Sequence, residues 1–149
     1  ERPFESPPED IRIWCYTDQL SYGTGETVHV SVCTNAARYA IEIIRDGATP
    51  VSVLRRGGLA GKWRDTPANC SVAGCGWPVS MAFEIDSTWA SGGYIVRCSA
   101  EDGRDSDLHE HFFFVRPDAG TAKQGRLLLV AATGTWTAYN DWGGSNHYQ

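Results

Sequence analysis

The stretch near the C-terminus gathers several side chains able to do chemistry. Tyr139-Asn140-Asp141 is followed by Trp142-Gly143-Gly144 and then, two residues on, by His147-Tyr148. Two phenols, an amide, a carboxylate and an imidazole thus share one short glycine-containing run. A phenol ionises near pH 10, so it serves as an anionic ligand only beside a strong Lewis acid that lowers that value. An amide side chain can orient a carbonyl by hydrogen bonding. A carboxylate or an imidazole can take up a proton, and the spacing does not separate Asp141 from His147 as a base. The competing reading is structural: Tyr and Trp in Gly-rich loops most often bury a ring and find a partner for its polar tip.

Other candidates are weaker. His109-Glu110-His111 places both imidazoles on one face of a strand, as a metal pair requires, but the alternation with Phe112 and Phe114 favours a solvent face or an edge. Asp102, Asp105 and Asp107 around Gly103 miss the EF-hand spacing and read as a solvated hairpin turn. Trp63, Trp77 and Trp89 lie on loops, where they either form a platform for a sugar or peptide or pin the loops themselves. No nucleophile elbow or phosphate loop is present, since Gly23-Thr24-Gly25 precedes a strand rather than a helix.

The five cysteines cannot all pair within the chain. Cys70 and Cys75 flank a small loop and are expected to form a disulfide; a zinc site would need further ligands. Cys15, Cys33 and Cys98 fall in predicted strands, where thiols act as small buried hydrophobes. A bridge from Cys33 to Cys98 would suit an immunoglobulin-type sandwich, yet Val28, Val30 and Val32 face inward and so turn Cys33 outward.

The elements that must position these groups are mostly short strands. Ile11–Tyr16, Thr27–Val32, Tyr39–Arg45, Val51–Leu54, Val79–Ile85, Tyr94–Cys98 and His109–Val115 carry alternating or β-branched patterns, with turns between most of them. Ser21–Glu26 reads as a turn, and residues 55–78 as a long irregular excursion. The pattern predicts a mainly β chain: an immunoglobulin- or fibronectin-like β-sandwich over residues 10–116, after an extended arm at 1–9 and before a linker at 117–123. The arm Glu1–Pro8 is broken by prolines and has no apolar core, unlike a signal peptide. Arg126–Ala132 is different, a continuous apolar run that suits a strand buried on both faces of a parallel sheet. Residues 124–149 therefore read as the first strand and loop of a truncated α/β domain, the loop lying at the carboxyl edge where ligand sites collect.

The 149 residues are 42% hydrophobic and 21% charged, which excludes disorder. The net charge of −5 and the absence of a basic stripe argue against nucleic acid as a partner. The apolar run at Leu127–Ala132 is far below the ~20 residues a membrane span needs.

The segment Leu128–Gly144, with Tyr139-Asn140 and the following His147-Tyr148, resembles the start of the catalytic domain of the N,N-dimethylformamidase large-subunit family. In that family a β-rich domain precedes an amidotransferase-like α/β domain. The resemblance implies hydrolysis of a C–N amide bond by a metal-activated water. It implies a mononuclear iron held by two tyrosinates and a carboxylate: Tyr139 matches the Tyr-Asn motif, Tyr148 is the candidate second ligand, and the third lies beyond Gln149. Asn140 would then orient the substrate carbonyl, with Asp141 or His147 as base. The implied partners are a small amide substrate and the rest of the catalytic domain or another subunit, in a homo- or hetero-oligomer. The chain by itself is expected to be inactive. The alternative is a non-enzymatic secreted sandwich that binds glycan or protein, or self-assembles by adding its final strand to a neighbour's sheet. Cysteine usage leans toward an extracellular or periplasmic setting, whereas the family likeness also allows the cytoplasm.

Overall fold

A computed structural model describes residues 7–102, 105–118, 130 and 132–139. Eight strands carry the fold: β1 (Ile13–Thr17), β2 (Ser21–Tyr22), β3 (Thr27–Thr34), β4 (Arg38–Arg45), β5 (Val51–Ala60), β6 (Val79–Glu84), β7 (Gly92–Asp102) and β8 (Asp105–Val115). They form two sheets, one ordered β1-β3-β6 and the other β2-β8-β7-β4-β5. Every pairing is antiparallel except β2 with β8. This is the β-sandwich that the alternating pattern predicts.

The alternation decides which residues meet between the sheets. From β3 come Val28, Val30 and Val32; from β4, Tyr39, Ile41 and Ile43; from β7, Tyr94, Val96, Cys98 and Ala100; from β8, Phe113 and Val115. All are buried, and removing this much apolar surface from water is the main force holding the sheets together. One end of the core is aromatic. The Phe113 ring lies 5.5 Å from Tyr22, edge to face, and 5.5 Å from Tyr94, stacked. Trp89 stacks on Tyr94 at 5.0 Å and on Phe83 at 5.7 Å. The Tyr94 hydroxyl donates to the Ala90 carbonyl at 2.7 Å. That bond, from the start of a strand back to the loop before it, is the tyrosine corner of immunoglobulin-like sandwiches.

Four details refine or correct the sequence-based expectations. Residues 55–60 continue β5 instead of opening an irregular excursion. Gly57 and Gly58 sit where the β4–β5 register shifts between Tyr39 and Ile41, and Gly58 has φ +68°. They are bulge glycines, not loop glycines. Ser21 and Tyr22, expected in a turn, form β2. Cys33 does point away from the inter-sheet core, yet it is only 1% exposed. The Gly61–Arg64 backbone covers it, and its Sγ accepts the Arg64 N–H at 3.2 Å. That cover approaches closely: a Cβ on Gly61 would lie 1.8 Å from the Ala36 carbonyl oxygen. Lastly, β6 ends at Glu84, leaving Ile85 fully buried beyond it.

The chain divides into two units. One comprises residues 8–64 and 77–123 and holds all eight strands. The other includes the segment 65–76, with the single-turn helix α1 (Cys70–Ala73), and the C-terminal stretch with helix α2 (Thr133–Tyr139). Thr133–Tyr139 is thus helical where a loop was expected. Of the strand expected at Leu127–Ala132, only Val130 and Ala132 are described. Neither is in a strand, and Val130 is 81% exposed.

Candidate functional site

Tyr139 is the last residue of α2, so the helix sets where its backbone lies. Asn140, Asp141, His147 and Tyr148 lie outside the described residues. Among the described residues no group of three or more His, Cys, Asp or Glu side chains is placed to hold a metal ion.

The loop expected to carry a disulfide is folded differently. Cys70 is a free thiol, so the bridge to Cys75 is not formed. Cys70 begins α1, and Gly74 leaves it with φ 75° and ψ 177°, its N–H returned to the Cys70 carbonyl.

The loop tryptophans are engaged in packing. Trp63 meets Trp14 edge to face at 5.9 Å, and Trp77 lies 5.4 Å from Tyr16. The Trp77 N–H also donates to the Tyr16 hydroxyl at 2.9 Å, and its carbonyl accepts the Ser31 hydroxyl at 3.1 Å. With Trp89 stacked on the core, all three rings pin loops to the sandwich.

A polar cluster that the sequence reading missed joins the two sheets. Asp107, His109 and His111 share the inward face of β8 with Phe113 and Val115. They meet the edge of β1 that β3 leaves unpaired. The Ile13 N–H donates to Asp107 Oδ2 at 2.8 Å, and the Cys15 N–H donates to His109 Nδ1 at 3.2 Å. His111 Nε2 lies 3.0 Å from Thr17 Oγ1. Side chains at alternate positions of one strand thereby replace a neighbouring strand for another, satisfying amides that would otherwise be buried unpaired.

This geometry fixes both histidine tautomers. A backbone N–H can only donate, so His109 Nδ1 must be the bare nitrogen and Nε2 carries the proton. The Thr17 hydroxyl has one proton, given to the Gln19 carbonyl at 2.6 Å, so His111 Nε2 must donate to it. Both imidazoles are neutral. Burial lowers the His109 pKa from its ordinary 6.5, against the opposing pull of Asp107 and Glu110. Burial, with His109 adding to it, lowers that of His111 to about 4. The solvent-face expectation for this pair is therefore overturned: Phe112 and Phe114 take the outer face, and the histidines turn inward. The signal available in sequence was Asp107-x-His109-x-His111-x-Phe113, whose period of two continues into the core.

A second cluster holds the turn between β1 and β2. The Tyr22 hydroxyl donates to Asp18 Oδ1 at 2.7 Å and accepts the Gln19 N–H at 2.9 Å. Asp18 also receives the His29 N–H at 3.0 Å and faces His29 Nδ1 at 3.1 Å. Burial works to raise the Asp18 pKa, but the bonds from Tyr22 and His29 outweigh it and the net shift is downward. Both clusters brace the sandwich.

The comparisons with known proteins bear on the chain as a whole. The family model for the C-terminal part of N,N-dimethylformamidase beta subunit-like proteins matches residues 45–149. The match begins at the end of β4 and takes in β5 to β8, well beyond the segment that carried the resemblance in sequence. No curated protein matches. Among solved structures, the sporulation control protein Spo0M from Bacillus subtilis aligns with TM-score 0.52 and 8% identity, over 74% of this chain and 51% of that one. The chain thus spans about half the length of Spo0M, and the likeness is one of fold. The PKD domain of the human VPS10 domain-containing receptor SorCS2 aligns with TM-score 0.39 and 15% identity, over 77% of this chain and 80% of that one.

Proposed function

The chain belongs to the N,N-dimethylformamidase beta subunit-like family, and on that premise we propose that it is part of an amidohydrolase that cleaves the C–N bond of a small amide. The carrying observation is the family match across residues 45–149. In this reading the sandwich is the accessory platform and residues 124–149 begin the catalytic domain. Tyr139 and Tyr148 would hold iron, with a carboxylate from beyond Gln149. Two phenolates and a carboxylate are hard oxygen donors, the class that suits ferric iron. Bound iron would supply Lewis acidity at the amide carbonyl and toward water. Asn140 donates a hydrogen bond that orients the substrate carbonyl, and Asp141 or His147 takes the proton released as water attacks. The family's description as a beta subunit supports assembly with a partner subunit.

The test uses the protein with its native flanking sequence and any co-purifying subunit. Iron content and dimethylamine release from N,N-dimethylformamide are measured for the wild type and for Tyr139→Phe. Phenylalanine keeps the ring and removes the ligand oxygen, so iron content and turnover should both fall at least tenfold. A variant that keeps its iron and its rate refutes the ligand assignment. Metal-dependent amide hydrolysis by the isolated 149-residue chain refutes the reading that its catalytic domain is incomplete.

A further inference from the structure

The sandwich contains a pair of buried thiols that neither the family assignment nor the proposed iron site uses. Cys15 on β1 and Cys98 on β7 belong to different sheets, are 3% and 0% exposed, and are both free thiols. Three observations place them together. Cys15 Sγ lies 3.9 Å from the Val96 carbonyl and 3.9 Å from the His109 carbonyl. Val96 is two residues from Cys98 on the same inward face of β7, and His109 is the residue opposite Cys98 in the β7–β8 ladder. The Cys98 side chain is also the largest influence raising the Cys15 pKa, as a close neighbour in the core would be. His109 Nδ1 stands 3.5 Å from Cys15 Sγ.

We propose that Cys15 and Cys98 are the disulfide-forming pair of this domain, joined across the two sheets when the chain folds in the presence of a low-molecular-weight disulfide. The exchange balances without a further reagent. One cysteine thiolate attacks the small disulfide, forming a mixed disulfide and releasing one small thiolate. The second cysteine thiolate attacks the protein sulfur of that mixed disulfide and releases the other. The two cysteine protons end on the two small thiols. The cross-link does not copy the usual immunoglobulin arrangement. The strand position two residues after the corner tyrosine, where such domains carry a bridging cysteine, is here Val96; the thiol lies two positions further on, at Cys98, and its partner is on β1. In the folded state the neighbouring Cys98 side chain, together with burial, raises the Cys15 pKa well above its ordinary value. Few thiolates form once the core has closed, so the bridge belongs to folding and not to rapid signalling.

The full chain is unfolded in denaturant with a reducing agent, transferred into a buffered mixture of oxidised and reduced glutathione, and refolded. It is then alkylated under denaturing conditions and mapped by mass spectrometry without reduction. A peptide pair joining Cys15 to Cys98 is expected, with two fewer alkyl groups than in a sample refolded under full reduction. Cys70→Ser should leave that linkage intact, whereas Cys98→Ala should abolish it. The mapping needs no variant, so a failure of Cys98→Ala to fold does not protect the idea. Recovery of Cys15 and Cys98 as alkylated thiols, or with linkage only through Cys70, overturns it.

Discussion

Acidification should weaken the join between the two sheets, by an amount the His111 environment sets. His111 is neutral in the folded protein with a pKa of about 4, against 6.5 for an exposed imidazole. Its folded value is depressed, so the penalty is absent above about pH 6.5 and grows as pH falls. Between 6.5 and 4 the unfolded chain binds a proton that the native chain refuses. At pH 5.5 the loss amounts to about 1.4 kcal/mol and at pH 4.5 to about 2.5 kcal/mol; it levels off at roughly 3 kcal/mol below pH 4. Urea unfolding followed by tryptophan fluorescence at pH 7, 5.5 and 4.5 measures this directly. His111→Gln provides the control, because its amide can still donate to Thr17 Oγ1 but does not titrate. Carboxylates and His109 titrate in both proteins and largely cancel in the difference. The wild type should therefore lose about 2 to 3 kcal/mol more than His111→Gln between pH 7 and pH 4.5. Parallel pH dependences for the two proteins would refute the burial argument, as would an NMR titration that finds His111 protonating near 6.5.

Three further perturbations test other parts of the structure. Tyr22→Phe removes the hydroxyl shared by Asp18 and the Gln19 amide, and should cost about 1 to 3 kcal/mol of unfolding free energy while leaving the ring packed on Phe113. Gly61→Ala places a methyl against the Ala36 carbonyl, where only backbone can yield; a loss of about 1 to 3 kcal/mol is expected, with amide exchange quickening first around Cys33. Glu26→Gln removes the charge and one of the two oxygens that accept from Arg116 Nη2, at 2.7 and 2.8 Å. Both partners are 45% exposed and screened by water, so the midpoint in urea should barely move.

Much of the sandwich is legible in sequence because a period of two is a strong signal. Val28, Val30 and Val32 mark β3 and its face without help from elsewhere. The misreadings share a physical cause, which is that alternation names the face of a strand but not what lies above it. Cys33 faces outward as parity requires, yet a distant segment closes over it. His109 and His111 look like surface residues until β1, 94 residues away in sequence, is brought against them. Gly57 and Gly58 signal irregularity, and a bulge within a strand satisfies that signal as well as a loop does. Thr133–Tyr139 shows no helical periodicity that seven residues could reveal. Tyr139, the one candidate ligand whose backbone is described, stood out through its neighbours Asn140 and Asp141 and through the family likeness, not through any property of the fold.

The parallel pairing of β2 with β8 has a mechanical consequence. The Phe114 N–H donates to the Leu20 carbonyl at 2.9 Å and the Arg116 N–H donates to the Tyr22 carbonyl at 2.8 Å. Once a pull on the N-terminal side has passed β1, which β3 anchors, tension against the chain after Arg116 pulls β2 and β8 in opposite directions along their length. The two bonds, with the Arg116–Glu26 contact beside them, are then loaded together in shear instead of being opened one at a time. The sandwich would transmit a pull between whatever is attached to its two ends while its core stayed closed.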